Sequence, residues 1–253
     1  MGKIIAVANQ KGGVGKTTTC VNLCAALKEK GKTILLCDMD PQGNATSGLG
    51  INKNKKDVNI YNVLIDGVNA ADAIVKTKYS DLLPSSRILA GAGVELVSMD
   101  EREFVLKNVL DTIRGDYDYI LIDCPPSLEM LTLNSLCAAD TVLIPVQCEY
   151  YALEGLSDLM STIRTIKKSL NPNLDIEGVL LTMYDSRTNF SSQVAAEIKK
   201  FFNQKLYNVS IPRNVRIAEA PSHGTPVMQY DRTSRGSQAY MDLAKEFIKK
   251  NKQ

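Results

Sequence analysis

An α/β fold, with a doubly wound and mainly parallel sheet flanked by helices, is predicted by three features of this 253-residue chain. Apolar runs at residues 4–8, 33–37, 119–123, 141–147 and 176–183 have the continuous hydrophobicity of strands buried on both faces. Stretches with helical spacing separate them, an alternation that gives parallel pairing through crossover helices. No internal repeat or low-complexity linker interrupts the alternation, so residues 1–253 are expected to form one domain.

Composition narrows the class further. Hydrophobic residues make up 44% and charged residues 23%, and a chain of this length buries a full core without staples. Cys20, Cys24, Cys37, Cys124, Cys137 and Cys148 stand singly in apolar surroundings with no C-x-x-C pair, and His223 reads as a loop residue. Reduced thiols in the core are expected, in place of a disulfide framework or a zinc site. No apolar run approaches the roughly 18 residues that span a bilayer, and the N-terminus enters a strand without a signal-peptide pattern. A cytoplasmic protein with no membrane attachment is therefore expected. The net charge of +2 hides an asymmetry, because residues 187–253 hold 12 Lys/Arg against 5 Asp/Glu. A basic end suits a polyanion surface, and it is equally what a solvated C-terminal helix produces.

Taken in order, the strand at 4–8 is followed from Thr17 by Val21, Leu23, Cys24 and Leu27 at roughly helical spacing. Between them, Gly12, Gly13 and Gly15 free the backbone to wrap so that successive N–H groups point inward. The helix behind adds the positive end of its dipole, and the result is a phosphate cradle. Lys16 is placed to reach the β and γ phosphates, and the Thr17 hydroxyl to ligate Mg²⁺. The general phosphate-loop pattern would put its first glycine at Gln10; here Lys11 opens the loop instead. Gly31 ends the helix, and the strand at 33–37 delivers Asp38 and Asp40. Ligands bind at strand ends in parallel sheets, so both carboxylates face the same crevice as the loop.

Residues 52–57 read as a solvated, lysine-rich loop, 60–64 and 70–75 as short helical segments, and 82–86 as a short strand. Helices are expected over 90–97 and 101–113. The strand at 119–123 ends on Asp123, after which Pro125 and Pro126 forbid continued pairing. The strand at 141–147 precedes a helix running to about residue 170, with the pair Tyr150 and Tyr151 before it given no role. The strand at 176–183, a helix at 190–202 and a last short strand at 206–211 lead to Pro212, Arg213, Asn214 and Arg216.

These motifs, in this order and over essentially the whole chain, resemble the ParA/Soj family of partition ATPases, within the larger group of MinD, ParA and the nitrogenase iron protein. Residues 11–18 are similar to that group's deviant Walker A motif, a variant of the P-loop NTPase signature. The resemblance implies ATP and Mg²⁺ as cofactors. It puts Lys11, Gly12, Gly13, Val14, Gly15, Lys16, Thr17 and Thr18 around the phosphates, and Pro212 and Asn214 against the adenine. Thr17, Asp38 and Asp123 belong to the magnesium shell. Asp40 orients the attacking water beside Lys16, and Lys11 reaches across a dimer to the partner's nucleotide. Arg187 and Arg216 match positions that contact DNA phosphates, with Arg213 a third candidate. The residues around 40–50 form a nucleotide-responsive switch.

The implied activity is a weak ATPase working as a DNA-segregation switch, cytoplasmic and nucleoid-associated. ATP bridges two copies into a homodimer that binds double-stranded DNA without sequence preference, and a ParB-like centromere-binding protein stimulates hydrolysis and release. Three alternatives follow from the wider group. A MinD-like membrane ATPase would use the stripe of Tyr240, Met241, Leu243, Ala244, Phe247 and Ile248 on lipid, whereas packing explains that stripe more simply. An orphan ATPase of this type would position another cargo. An iron–sulfur reductase would need cysteines in glycine-rich contexts, and neither Cys124 nor Cys137 has one.

Overall fold

The computed structural model describes residues 1–54, 58–149 and 152–252. Lys55, Lys56 and Asp57 of the expected lysine-rich loop, and the pair Tyr150 and Tyr151, lie outside the described residues. Among the described residues seven strands make one sheet: β1 (Lys3–Val7), β2 (Ile34–Asp38), β3 (Val75–Lys76), β4 (Asp81–Leu83), β5 (Tyr119–Asp123), β6 (Thr141–Gln147) and β7 (Asp175–Thr182). Their spatial order is β3-β4-β2-β5-β1-β6-β7, and every pairing is parallel except β3 with β4. Alternate side chains enter opposite cores: Ile4 and Ala6 of β1 pack on one side, Ile5 and Val7 on the other.

Helices cover both faces, as expected for such a sheet. One face carries α1 (Lys16–Glu29), α2 (Asn44–Gly48), α10 (Val215–Glu219), α11 (Val227–Tyr230) and α12 (Arg235–Lys250). The other carries α3 (Ile60–Ile65), α4 (Ala70–Ala73), α5 (Leu89–Glu95), α6 (Val105–Ile113), α7 (Met130–Ala138), α8 (Ala152–Ser169) and α9 (Asn189–Phe202). All six cysteines are free and buried. No described helix is long and apolar enough to cross a membrane.

The apolar stripe of α12 is consumed by the core. Tyr240, Leu243, Ala244 and Phe247 are buried, and Phe247 meets Tyr119 edge-on at 5.1 Å between ring centroids. Phe247→Ala should lower stability by about 3–5 kcal/mol through the cavity it leaves, read as a shift in the thermal or urea midpoint.

Four expectations fail, each for a local reason. The helix expected over 101–113 begins only at Val105, because Glu101 takes a left-handed φ of 49° and its carbonyl closes a turn with the Phe104 N–H at 2.8 Å. The segment at 70–75 leaves the helix after Ala73, since Val75 and Lys76 pair with β4. Residues 206–211 make one isolated bridge, Leu206 with Val179, and no ladder. There the N–H groups of Asn208 and Val209 donate to the Glu246 carboxylate of α12, at 3.0 Å each, instead of continuing along β7. His223 is the last residue of a 3₁₀ turn, Ala220–His223, and stacks on Tyr230 at 4.9 Å.

Candidate functional site

The site forms where β1, β2 and β5 end together. Val7 and Asp38 both stand in register with Asp123, so parallel pairing alone puts two strand-terminal carboxylates side by side. Between β1 and α1 the loop turns through Gly13 (φ 74°) and Gly15 (φ 89°), left-handed positions that favour glycine. No atom lies within 4 Å of where a Cβ on Gly12 or Gly13 would stand, so the cradle is open on that side. The loop is anchored from below: the Thr182 hydroxyl donates to the Val14 carbonyl at 2.8 Å, and Asn9 accepts from the Lys11 N–H at 3.0 Å.

Lys16 is buried and its Nζ donates to the Lys11 carbonyl at 3.1 Å, so the ammonium lies folded over the loop. Lys11 points the other way and pairs with Glu149 of its own chain. Asp38 is fixed on three sides. Its Oδ2 accepts from the Thr46 N–H at 2.8 Å and the Thr46 hydroxyl at 2.7 Å, and its Oδ1 from the Asp40 N–H at 3.2 Å. Asp40 accepts from the Gln42 N–H at 2.9 Å, while the Ser85 hydroxyl donates to its carbonyl at 2.8 Å.

Asp123 is different, because its Oδ2 is buried without a hydrogen-bond partner among the described residues, while the carboxylate receives a weak Cys20 thiol contact at 3.6 Å on Oδ1 and a further donor in the Thr17 hydroxyl. Burial, then the charge of Asp38, push Asp123 well above the usual carboxylate range. Burial likewise pushes Asp38 up to about 6 and pulls Lys16 below its ordinary value. Two adjacent buried carboxylates with an orphaned oxygen fit a hard divalent cation that keeps part of its water shell. Thr17 lines the same cleft and supplies a further oxygen.

The raised Asp38 makes a pH prediction. A carboxyl raised on folding stabilises the metal-free chain below its unfolded value of roughly 3.9, and that contribution is lost as pH rises through about 6. A cation at the pair removes the penalty. The increase in melting temperature given by Mg²⁺ with ATP should therefore be larger at pH 8 than at pH 5, as thermal-shift measurements across pH would show.

A cleft of about 620 Å³ runs from the cradle to the segment between β7 and α10, on the α1 side of the sheet. Gly12, Gly13, Gly15, Lys16, Thr17, Thr18 and Asp40 line one end, and Met183, Ile211, Pro212, Arg213, Asn214 and Ile217 the other. The two ends suit a polyphosphate and a flat apolar base. Asn214 caps α10, accepting from the N–H groups of Arg216 and Ile217 at 3.0 and 3.3 Å, so its side-chain oxygen is already used.

Comparison with known proteins agrees with this geometry. The chain is 58% identical over 248 residues to the sporulation initiation inhibitor protein Soj of Bacillus subtilis, covering 97% of this chain and 98% of that one. It belongs to the ParA/Soj family of chromosome-partitioning ATPases. The chromosome partitioning protein ParA of Myxococcus xanthus is 50% identical over 253 residues, covering 99% of this chain and 89% of its own. A family model described as an AAA domain matches residues 2–176. Among solved structures, cobyrinic acid a,c-diamide synthase from Mycobacterium smegmatis, with a bound ATP analogue and magnesium, superposes with a TM-score of 0.86. It is 38% identical, covering 98% of this chain and 95% of that one.

In the structure of this ParA/Soj chain the cleft is lined by Gly12, Gly13, Gly15, Lys16, Thr17, Thr18, Asp40, Pro212, Arg213 and Asn214 of the anticipated residues, while Lys11, Val14, Asp38, Asp123, Arg187 and Arg216 do not line it. Arg187 follows β7 on an exposed loop, and Arg216 stands on α10. Arg213 lines the cleft mouth between them. Residues that sequence reasoning missed include Thr46, Ser85, Thr182 and Glu149, which fix Asp38, Asp40, Val14 and Lys11. None sits in a motif, and only their spatial neighbours give them a role. Met183, another cleft residue, has a left-handed φ of 49°, which no sequence pattern announced.

Proposed function

We propose that this chain is a weak, Mg²⁺-dependent ATPase that acts as a DNA-segregation switch, working as one ATPase unit in the cytoplasm and on the nucleoid. The observation that carries the reading is the buried Asp38–Asp123 pair, with its unpartnered oxygen, set directly beside a glycine cradle that holds Lys16. Residues 12–18 hold the phosphates through backbone N–H groups, and Lys16 swings from its loop carbonyl to the β and γ oxygens. Pro212 and Asn214 flank the base. Thr17, Asp38 and Asp123 would hold a magnesium ion, whose part would be to neutralise developing phosphate charge. Asp40 orients the attacking water.

Two copies close face to face over their nucleotides. Lys11 then leaves Glu149 for the partner's phosphates, so the lysine is held by a carboxylate until a stronger anion arrives. The closed dimer doubles the arginine edge formed by Arg187, Arg213 and Arg216. Because affinity for DNA multiplies with each phosphate neutralised, dimer formation alone turns binding on, without sequence preference. A ParB-like centromere-binding protein accelerates hydrolysis and releases the DNA. The burial of the α12 stripe supports this reading over a membrane-bound one.

Asp40→Ala tests the reading. The substitution removes the side-chain contact with the Gln42 N–H but keeps the Asp40 carbonyl that accepts from Ser85, so the loop keeps that anchor. The variant should retain ATP with near-normal affinity, hydrolyse it at least about 100-fold more slowly, and persist as a dimer on DNA. A variant that cycled at the parental rate in a phosphate-release assay would remove Asp40 from the water-orienting role.

A further inference from the structure

The arginine edge is folded against its own carboxylates. The loop after β7 and the segment before α10 are joined by the Tyr184 N–H to Ile211 carbonyl bond at 2.9 Å and by the Arg213 N–H to Tyr184 carbonyl bond at 3.4 Å. This junction puts Arg187, Arg213 and Arg216 along one edge. On it, Arg187 is gripped by Asp185 through Nε at 2.9 Å and Nη2 at 2.7 Å, although its side chain is 87% exposed. Arg216 reaches Glu219 at 2.9 Å and Asp231 at 3.3 Å. The hydrogen bonds from Arg187 hold the Asp185 carboxyl down to about 2, and the Arg213 charge acts on it as well. Arg187 and Arg216 are therefore matched by carboxylates of the same copy, and Arg213 acts on Asp185 through its charge alone.

We infer that Asp185 and Glu219 are built-in competitors for the DNA backbone, holding the affinity of a single copy low so that only a doubled surface retains a duplex. This rests on the DNA reading above and adds its regulation. A polyanion is attracted by the net charge of a surface and released counterions scale with the phosphates neutralised, so an arginine already matched by a carboxylate contributes little until that carboxylate is displaced. Asp185 is the stronger restraint, because its bidentate grip matches the fork geometry that a phosphate would use. A carboxylate in this position could instead orient the guanidinium for DNA, and the two roles predict opposite signs.

The experiment uses full-length protein and a fluorescent random-sequence duplex, with binding followed by anisotropy against salt in the presence of ADP or ATP. Asp185→Asn keeps an oxygen to accept the Arg187 backbone N–H, which the aspartate accepts at 3.1 Å, and removes only the charge. Glu219→Gln does the same for the Tyr230 hydroxyl, now at 3.2 Å. Each variant should tighten binding in ADP by about fivefold, the effect of one like charge removed at contact distance in water. Together they should give roughly 25-fold if the two sites act independently. The double variant should hold DNA without ATP, and adding Arg187→Ala should reverse most of its gain.

Unchanged or weaker binding by both single variants, with Arg187→Ala still releasing the parent from DNA in ATP, would overturn the competitor role and leave the orienting one. If no form of the protein, parent included, held the duplex at low salt in either nucleotide, the DNA reading itself would fall and this inference with it.

Discussion

Lys16→Ala should abolish ATP binding and, with it, every ATP-dependent interaction with DNA. Lys16 is the buried cation of the cleft, with Asp123 and Asp40 acting on it electrostatically, and its Nζ rests on the Lys11 carbonyl. A triphosphate brought into the cradle without it meets two buried carboxylates and has lost the buried ammonium that opposes them. Hydrogen bonds to charged groups contribute about 1.5–3 kcal/mol each, and this ammonium would make more than one. The loss should reach at least roughly 100-fold in Kd, a change calorimetry with Mg²⁺ and ATP resolves easily. Circular dichroism matching the parent would separate this from unfolding. Retention of ATP within tenfold of the parent would show that the phosphates bind elsewhere.

Reversing the charge at Arg187 or Arg216 should have the complementary effect, sparing nucleotide binding and eliminating retention on DNA. Both side chains are largely outside the cleft, on the edge that follows β7 and on α10. Arg187→Glu in a dimer replaces two cations by two anions. With a slope of about −0.9 per phosphate in log K against log salt, losing two contacts should flatten the salt dependence by roughly 1.8. The remaining affinity should fall below what a gel or anisotropy titration detects at moderate salt. Joint loss of ATP and DNA binding would indicate misfolding, since no nucleotide contact is assigned to either side chain.

The main strands and the two-sided covering were legible because buried parallel strands are written as unbroken apolar runs, and the carboxylates at 38 and 123 because they end two of those runs. What pairs them was not legible. Register between β2 and β5 is a property of the sheet, and nothing in either segment states that Asp38 stands opposite Asp123. The same limit hid Thr46 and Ser85, which reach Asp38 and Asp40 from α2 and from beyond β4. It hid the Lys11–Glu149 pair as well, whose partners lie 138 residues apart.

Periodicity failed where backbone geometry or a side chain overrode it. Residues 101–104 have a helical pattern, yet the left-handed Glu101 begins a separate turn. Residues 206–211 have the hydrophobic alternation of a strand, yet Glu246 takes the N–H groups that a ladder would need. Charge counting did find the basic end of the chain. It could not show that Asp185, Glu219 and Asp231 are folded onto its arginines, because net charge over a segment is blind to which ions touch.

Sedimentation velocity of the parent protein with Mg²⁺ and a slowly hydrolysed ATP analogue, run with and without a short duplex at low salt, decides whether nucleotide closes two copies onto DNA. A single-copy species is expected in ADP, a two-copy species in the analogue, and co-sedimentation with the duplex for the two-copy species alone. A protein that binds the analogue yet stays single and free of DNA would contradict the switch.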